Sequence, residues 1–462
     1  MDDHALCFRP VTELAKLIRS GDVSAIEAVE SCLARIDEVN PAINAVVTLA
    51  PDALERARAA DQAFVHGEPI GPLHGVPFTI KDSLDTAGLV TTAGTVGWRD
   101  RVPERDATVV ARLRAAGGIL LGKTNTPEFT WSDETDNDVY GRTSNPYDVS
   151  RTPGGSSGGP GAIVAAGGSP FDIGSDTGDS IRQPAHVCGI AGIKPTRGRV
   201  PRTGHWPGYA GMLESLTQLG PMARRVDDLA LILPLVAGPD DEDPHVPPVP
   251  MPDLGRRDVA GLRVVAFTDN GLLAPTPATV ATVEAAISAL SDAGAEIRRE
   301  VPPNLGEAWG AWDAMVRADG WAWLHRLISG AGTSGMGSYE VRGWLAPSAP
   351  LSAPELTELL ERADAIRAAF LRWMADVDAI VCPVMPQAAI RHGESNADWF
   401  GDSYSDVHNL TGLPAAVVRG GSTDDGLPIG VQLVAKPWRE DVALATARVV
   451  EAASGGWRRP AI

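Results

Sequence analysis

The sequence is organised around a glycine-rich stretch, Arg151-Thr-Pro-Gly-Gly-Ser-Ser-Gly-Gly-Pro-Gly161, with five glycines in the eight residues from Gly154 to Gly161. Glycines in this number are expected where the backbone adopts unusual dihedral angles or brings its amides close to a ligand. A flexible linker could have the same composition, but the helix-forming run from Ala162 to Ala166 follows at once. A glycine loop before a helix can also bind phosphate, yet this stretch lacks the G-x-x-x-x-G-K-[ST] pattern. The stretch therefore predicts an ordered loop with a chemical role.

A second stretch, Gly174-Ser-Asp-Thr-Gly-Asp-Ser-Ile-Arg-Gln-Pro-Ala185, places Ser180 directly after a glycine-bearing turn. In such a turn, successive backbone N–H groups can converge on one point. An oxyanion hole requires that convergence.

A third stretch, Leu73-His-Gly-Val-Pro-Phe-Thr-Ile-Lys-Asp82, places Lys81 at the end of a short apolar segment. Burial disfavours the charged form of a lysine and can bring its pKa toward neutrality. Taken alone, however, Lys81 would be expected at the surface or in a salt bridge. Only the three stretches together indicate catalysis.

Together the three stretches resemble the amidase signature family, which has G-G-S-S-G-G, then G-[ST]-D-x-G-G-S-I-R-x-P-A, and an earlier lysine in G-V-P-x-x-x-K-D. Ser156 and Ser180 are 24 residues apart, as they are in that family. Four further stretches extend the likeness over nearly the whole chain: Gly189-Ile-Ala-Gly-Ile-Lys-Pro-Thr196, Gly220-Pro-Met-Ala-Arg224, Asn409-Leu-Thr-Gly-Leu-Pro-Ala415 and Pro428-Ile-Gly-Val-Gln-Leu433. The resemblance implies an α/β fold in which helices sandwich a large mixed central sheet, in a single domain.

The resemblance also implies a mechanism. Ser180 would be the nucleophile, Ser156 a proton relay that follows a cis peptide bond, and neutral Lys81 the terminal base. A base is needed because a serine hydroxyl is too weakly acidic to attack an amide unaided. Attack leaves an acyl-enzyme on Ser180, which water then hydrolyses. The developing oxyanion would be held by the main-chain N–H groups of Thr177, Gly178, Asp179 and Ser180.

Asp179 departs from the family pattern, which usually has glycine there. A carboxylate beside the nucleophile would repel the oxyanion and favour charged Lys81. Three interpretations stay open: the side chain points away from the site, it tunes substrate choice, or it reduces activity. Pro160 and Asp172 also replace residues that are usually small or apolar.

Composition narrows the classes of partner. The 462 residues carry a formal net charge of −19, which repels phosphate backbones, so no nucleic-acid partner is predicted. The four cysteines lie far apart and the histidines are scattered, so we expect reduced thiols and no metal site. Without a signal peptide or a long apolar run, the sequence predicts a cytoplasmic protein that makes no membrane contact.

We expect one domain over residues 1–462. A helix should begin at a capping box formed by Ser24 and Glu27 and end at Asn40-Pro41. The predicted regions are N-terminal helices (1–66), a catalytic core (67–238), an exposed loop (239–258), and the remaining sheet with a tryptophan-rich, substrate-facing helical layer (259–462).

Aromatic residues suggest where a substrate binds. Residues 306–344 contain five of the twelve tryptophans, and such a concentration favours a wide pocket for aryl or other bulky groups. The alternative, that these tryptophans only pack the helical layer, stays open. The candidates for substrate contact are Trp131, Tyr140, Trp206, Trp309 and Trp312.

The sequence thus predicts an amidase that hydrolyses a small-molecule carboxamide without a cofactor, with side activity on esters and carbamates (urethanes). A homodimer is the one assembly considered, and the oligomeric state stays open. Asp176 and Arg182 would support the site without reacting. One alternative is the glutaminase subunit of a tRNA-dependent amidotransferase, which shares the S-I-R-Q-P-A run, although residues 199–207 favour a stand-alone amidase. The other is a non-catalytic amide-binding descendant, suggested by Asp179.

Overall fold

The computed structural model describes residues 6–68, 71–208, 210–333, 349–395 and 402–462. Within these ranges eleven strands form two sheets. The strands are β1 (Val46–Leu49), β2 (Pro77–Lys81), β3 (Ile119–Thr124), β4 (Phe171–Asp176), β5 (Ala191–Lys194), β6 (Gln218–Ala223), β7 (Arg263–Ala266), β8 (Glu296–Arg299), β9 (Ala379–Pro383), β10 (Ala415–Ser422) and β11 (Pro428–Ala435).

The larger sheet has eight strands in the order β4-β6-β5-β10-β11-β9-β7-β8. Its pairs are antiparallel except that β7 runs parallel to both β8 and β9, so the sheet is mixed. The smaller sheet has the order β1-β3-β2, with β2 parallel to β3. Because β2 packs beside β4, the end of β2 lies at the edge strand of the large sheet.

Helices cover the sheets. They are α1 (Val11–Ser20), α2 (Ala25–Ile43), α3 (Ala53–Val65), α4 (Thr108–Ala115), α5 (Gly158–Ala166), α6 (Arg182–Val187), α7 (Val226–Val236), α8 (Pro277–Asp292), α9 (Leu305–Arg317), α10 (Ala322–Gly330), α11 (Ala353–Trp373), α12 (Asp402–Leu410) and α13 (Glu440–Ser454). The predicted α/β architecture, a large mixed sheet sandwiched by helices, is confirmed.

Two large apolar clusters and a small third one form the core. The largest one joins the N-terminal helices, most strands and α13, and the second lies beneath α9, α10 and α11. Strands β4, β9 and β11 are buried along their whole length. A strand covered on both faces has a continuous apolar run instead of alternation, and this explains why residues 379–383 could be recognised as a strand.

The first long helix begins as predicted but ends later. Ser24 caps α2 through a capping box with Glu27. The prediction that Asn40-Pro41 ends the helix was wrong, because α2 continues through Pro41 to Ile43. The helix ends where Asn44 adopts a left-handed conformation and its N–H donates to Asn40 O at 2.7 Å.

Residues 239–258 contain neither helix nor strand, and arginines anchor them to the body. Arg199 donates to Val249 O at 3.0 Å and to Pro250 O at 3.1 Å, and Arg112 donates to the Pro239 carbonyl at 2.6 Å. Of the tryptophan-rich stretch, Trp344 lies outside the described residues. Among the helices that the structure describes, none is both long and apolar enough to cross a membrane.

Candidate active site

Lys81 ends β2 and is completely buried, with 0% of its surface exposed. Its Nζ lies within hydrogen-bonding distance of three serine hydroxyls: Ser156 Oγ at 2.8 Å, Ser157 Oγ at 2.9 Å and Ser175 Oγ at 3.0 Å. The sequence pointed to Ser156 alone. Ser157 and Ser175 were missed because nothing in the motifs shows which hydroxyls β4 and the glycine loop direct at the lysine.

Burial lowers the pKa of Lys81 well below its usual value, although the carboxylates of Asp172 and Asp176 act in the opposite direction. Burial dominates because the ammonium has lost its water and is given only neutral hydroxyls in exchange. A neutral amine in this position can accept a proton.

The glycine loop reaches Lys81 through a cis peptide bond between Gly155 and Ser156, as the resemblance implies. A Cβ atom on Gly155 would lie 2.2 Å from Ser132 O, and one on Gly159 would lie 2.4 Å from Asn125 N. These glycines are therefore required because the loop packs against neighbouring backbone. Of the two sequence interpretations, unusual backbone dihedral angles are confirmed, by the cis bond and by a φ of 80° at Gly154, and the packing against backbone is an additional reason.

Ser180 lies beside this loop. Ser157 N donates to Ser180 O at 3.2 Å, and Gly155 N donates to the side chain of Gln183 in α6 at 2.7 Å. In the preceding turn Gly178 is half-buried, as is Ser180, whereas Thr177 and Asp179 are buried. The turn is thus accessible at Gly178 and at Ser180.

A buried ion pair holds the turn from behind. Arg182 Nη2 lies 2.9 Å from Asp176 Oδ1, and the same guanidinium donates to Gly178 O and to Asn409 Oδ1. Although burial alone would raise the pKa of Asp176, the Arg182 charge and its hydrogen bonds lower it overall. The carboxylate stays ionised, so the pair fixes the carbonyl of Gly178.

Asp179 is 2% exposed, so its carboxylate is buried next to the turn. It is not among the non-glycine residues with positive φ, and its backbone is therefore free of the strain expected for a left-handed aspartate. The steric need for glycine falls one residue earlier. A Cβ atom on Gly178 would lie 2.8 Å from Asp406 Oδ1 and 3.1 Å from the ring of Trp312.

Trp312 is the aromatic candidate whose contacts place it at this turn. It lies on α9, and its Nε1 donates to Thr177 O at 3.0 Å. Trp309 is on the same helix but is 43% exposed. The structure thus separates two tryptophans that the sequence grouped together.

The other aromatic candidates belong to packed clusters. Trp131 packs edge-on against Trp321 and Trp323, with ring centroids 5.8 and 5.6 Å apart. Trp206 packs edge-on against a neighbouring tryptophan, and its Nε1 donates to Asp85 Oδ2 at 2.9 Å. The Tyr140 hydroxyl lies 3.4 Å from Thr48 Oγ1.

His205 was missed by the sequence analysis, which found no histidine with a role. It is buried, and burial first, then the charge of Lys81, lowers its pKa well below the usual value. The loop that precedes Trp206 therefore brings a neutral imidazole near Lys81. The only sequence signal was the position of His205 in the segment 199–207.

The P-loop match in the sequence does not form a phosphate-binding loop, and the described residues contain no metal cluster. Residues 117–124 fit the letters of the P-loop pattern, Gly-Gly-Ile-Leu-Leu-Gly-Lys-Thr, but they form a turn and the buried strand β3 instead of a loop before a helix. No group of three or more His, Cys, Asp or Glu in the described ranges is arranged to hold a metal ion. All four cysteines are buried free thiols.

Residues 27–444 match the Amidase protein family. A glutamyl-tRNA(Gln) amidotransferase subunit of Chloroflexus aurantiacus is 37% identical over 466 residues, covering 94% of each chain. Among solved structures, a fatty acid amide hydrolase has a TM-score of 0.90 at 26% identity, covering 98% of this chain and 86% of that one. A bacterial aryl acylamidase has a TM-score of 0.87 at 25% identity, covering 97% and 96%. The chain therefore belongs to the amidase signature family of enzymes that cleave amide C–N bonds.

Proposed function

We propose that this chain hydrolyses a carboxamide through an acyl-enzyme on Ser180, with Ser156 relaying the proton to neutral Lys81. The observation that supports it most is the 2.8 Å contact between the fully buried Lys81 Nζ and Ser156 Oγ. A base held this close to the relay hydroxyl is within the reach that general base catalysis requires.

The hydroxyl pattern selects Ser156 over Ser157 as the relay. A neutral amine has two N–H donors and one lone pair, so among three surrounding hydroxyls it can donate to two and must accept from the third. Ser157 Oγ already donates to Ser175 O, at 3.3 Å, so its proton is engaged elsewhere. Of these two adjacent serines, Ser156 is then the one that can direct its proton at Lys81.

Proton flow follows from that arrangement. Ser180 Oγ attacks the carbonyl carbon and gives its proton to Ser156 Oγ, which in turn gives its own proton to Lys81 Nζ. The carbonyl oxygen becomes an oxyanion at the N–H groups of residues 177–180. The proton returns through Ser156 to the leaving nitrogen, the C–N bond breaks, and water later releases the acid from Ser180.

For the substrate, the comparisons favour the amidotransferase alternative over the aryl amidase predicted from sequence. The curated relative is named as one subunit of a glutamyl-tRNA(Gln) amidotransferase, so we propose glutamine as the first substrate to test. This weakens the expectation of a small-molecule partner alone, because one subunit of a larger enzyme works with partner chains. With a net charge of −19, this chain would leave tRNA binding to those partners.

A stand-alone amidase for bulky or aryl amides is the second candidate. Trp312 favours it, because its indole contacts the turn at Thr177 and provides an aromatic wall beside the reacting carbonyl. The overlap with a fatty acid amide hydrolase and a bacterial aryl acylamidase adds support. Esters and urethanes pass through similar tetrahedral intermediates and would be side substrates.

A hydrolysis panel separates the two candidates. Wild type and Asp179→Gly would be incubated with glutamine, aryl amides, aliphatic amides, esters and carbamates, each with and without the other chains of the amidotransferase. Ammonia release from glutamine that depends on those chains supports the first candidate. Steady aryl amide cleavage by the isolated chain, without response to glutamine, supports the second. No turnover under any condition would contradict the proposed hydrolysis.

Replacing Trp312 by phenylalanine keeps an aromatic side chain but removes the N–H that donates to Thr177 O. We expect acylation to slow about tenfold, because the turn is then less well fixed. The measurement is the rate at which a fluorophosphonate labels Ser180. Trp309→Phe on the exposed face of the same helix is the control and should label at the wild-type rate. Equal rates for the two variants would show that the indole N–H does not support the turn.

Amide turnover should fall as the pH is lowered. Neutral Lys81 is the active form, and since burial lowers its pKa, the neutral form persists down to lower pH than for an exposed lysine. As the pH falls through that lowered pKa, the base becomes protonated and kcat/KM declines. A flat profile from about pH 5 to 9 would argue against a neutral lysine base.

A further inference from the structure

Asp172 is a buried carboxyl group whose charge acts on Lys81 and which the reaction does not use. It lies in β4, 0% exposed, and its Oδ2 accepts from Thr79 Oγ1 at 2.7 Å and from Thr124 Oγ1 at 3.0 Å. Thr79 is two residues before Lys81 on the same face of β2. Thr124 is the residue that pairs with Lys81 on β3. The carboxyl group is thus held by the two neighbours of the lysine.

Burial raises the pKa of Asp172 to about 7, against the effect of its threonine hydrogen bonds and of the Lys123 charge. No salt bridge to Asp172 is formed within the described ranges. Its Oδ1 is buried and accepts no side-chain hydrogen bond in those ranges, although the adjacent Ile173 N–H acts to lower the pKa, so protonation of this atom breaks no side-chain contact.

The other charged groups around Lys81 are already compensated. Asp176, also on β4, is paired with Arg182 at 2.9 Å. His205, on the loop 202–208, is neutral because burial and the charge of Lys81 lower its pKa. Neither group changes its charge near neutral pH.

Beyond β3, Lys123 and Asp82 act on each other, while burial lowers the pKa of Lys123 to about 8 and raises the pKa of Asp82 to about 6. Lys123 Nζ donates to Thr86 Oγ1 at 2.8 Å and to the Leu84 carbonyl, and its charge stabilises the Asp82 carboxylate. The Asp82 carboxylate accepts from Thr92 N at 3.1 Å. Asp172 is therefore the carboxyl group whose charge both varies near neutral pH and acts on Lys81.

We propose that Asp172 is a positioning residue for the reaction: its ionised carboxylate retains the proton on Lys81 and so delays formation of the neutral base to higher pH. The proposal rests on the proposed function of Lys81. When Asp172 is ionised, the buried ammonium has a counter-charge and keeps its proton. When Asp172 is protonated, this counter-charge is lost, desolvation prevails over the remaining charge of the paired Asp176, and the amine is neutral. Acylation is therefore coupled to the protonation of two groups.

The test is the pH profile of fluorophosphonate labelling at Ser180 in wild type and in Asp172→Asn, which keeps the shape and an acceptor for the threonine hydroxyls. Removing the negative charge should move the acid limb toward lower pH by about one unit, so that labelling well below the wild-type limb becomes about tenfold faster. The rate on the alkaline plateau should stay the same. A merely structural role would change the plateau and leave the limb in place.

Thr124→Val provides an independent check in case Asp172→Asn does not fold. Loss of one donor destabilises the carboxylate, so the limb should move in the same direction by a smaller amount. Thermal unfolding would confirm that each variant is folded. Labelling at Ser180 with superimposable profiles for wild type and both variants would overturn the role of Asp172 and leave the proposed hydrolysis standing. A wild-type chain that takes no label at Ser180 would overturn both.

Discussion

Replacing Lys81 by methionine is expected to lower amide turnover about a thousandfold while the protein stays folded, since a positioned general base typically contributes about 10²–10⁴ in rate. Methionine keeps most of the unbranched stem, so the fully buried space left by the lysine stays filled. The amine that faces Ser156, Ser157 and Ser175 is lost, and no proton acceptor then remains at the relay hydroxyl. Steady-state kinetics together with thermal unfolding measure the two effects separately.

A lysine outside the site provides the control. Lys436 is partly exposed and lies 3.6 Å from Asp378. It directly follows β11, which is four strands across the large sheet from β4, so Lys436→Met should retain wild-type turnover. Turnover within tenfold of wild type in Lys81→Met would contradict the role of Lys81 as the base. Unfolding of that variant at room temperature would instead identify Lys81 as structural.

The second large effect is expected at Ser156. Ser156→Ala removes the hydroxyl whose proton can point at Lys81, and we expect turnover to fall by about 10²–10⁴. Ser157→Ala removes a hydroxyl at almost the same distance from Lys81, 2.9 Å against 2.8 Å, but one that is engaged with Ser175 O. Turnover of Ser157→Ala should fall about tenfold or less, because the Lys81 amine is then held by fewer hydrogen bonds.

This pair of alanine variants is informative because the two serines are adjacent and equally buried. Distance alone would predict equal losses, whereas hydroxyl direction predicts a difference of at least tenfold. If Ser157→Ala loses more turnover than Ser156→Ala, the proton relay is Ser157 and not Ser156.

The parts that could be predicted from sequence depend on local or contiguous signals. The capping box at Ser24 is a contact between residues three apart. Residues 379–383 form a short apolar run, which is typical of a strand buried on both faces. The end of α2 was misjudged because Pro41 removes only one backbone donor, and Asn40 stabilises the last turn by accepting from Ala45 N and Val46 N with its side chain and from Asn44 N with its carbonyl.

The parts that could not be predicted depend on pairing between distant strands. Asp172 contacts Thr79 from 93 residues away, and the contact exists only because β2 packs beside β4. The separation of Trp312 from Trp309 depends on how α9 is rotated, which the sequence of one helix does not determine. In both cases the sequence shows the residue type but does not show which side chains surround it in the fold.

Substrate choice was beyond the sequence for a different reason. The curated relative belongs to an amidotransferase, whereas one of the similar solved structures is an aryl acylamidase. One catalytic framework thus serves unlike substrates, because specificity comes from the side chains around the framework. Asp179, buried beside the turn, is the residue of this chain to vary first when the substrate is known.

Mass spectrometry of the fluorophosphonate-treated protein tests the nucleophile most directly. We predict a single adduct on Ser180 in the wild-type chain, no adduct in Ser180→Ala, and slow formation of the same adduct in Lys81→Met. An adduct on Ser156 or Ser157, or labelling of Ser180 at an unchanged rate without Lys81, would contradict the proposed reaction.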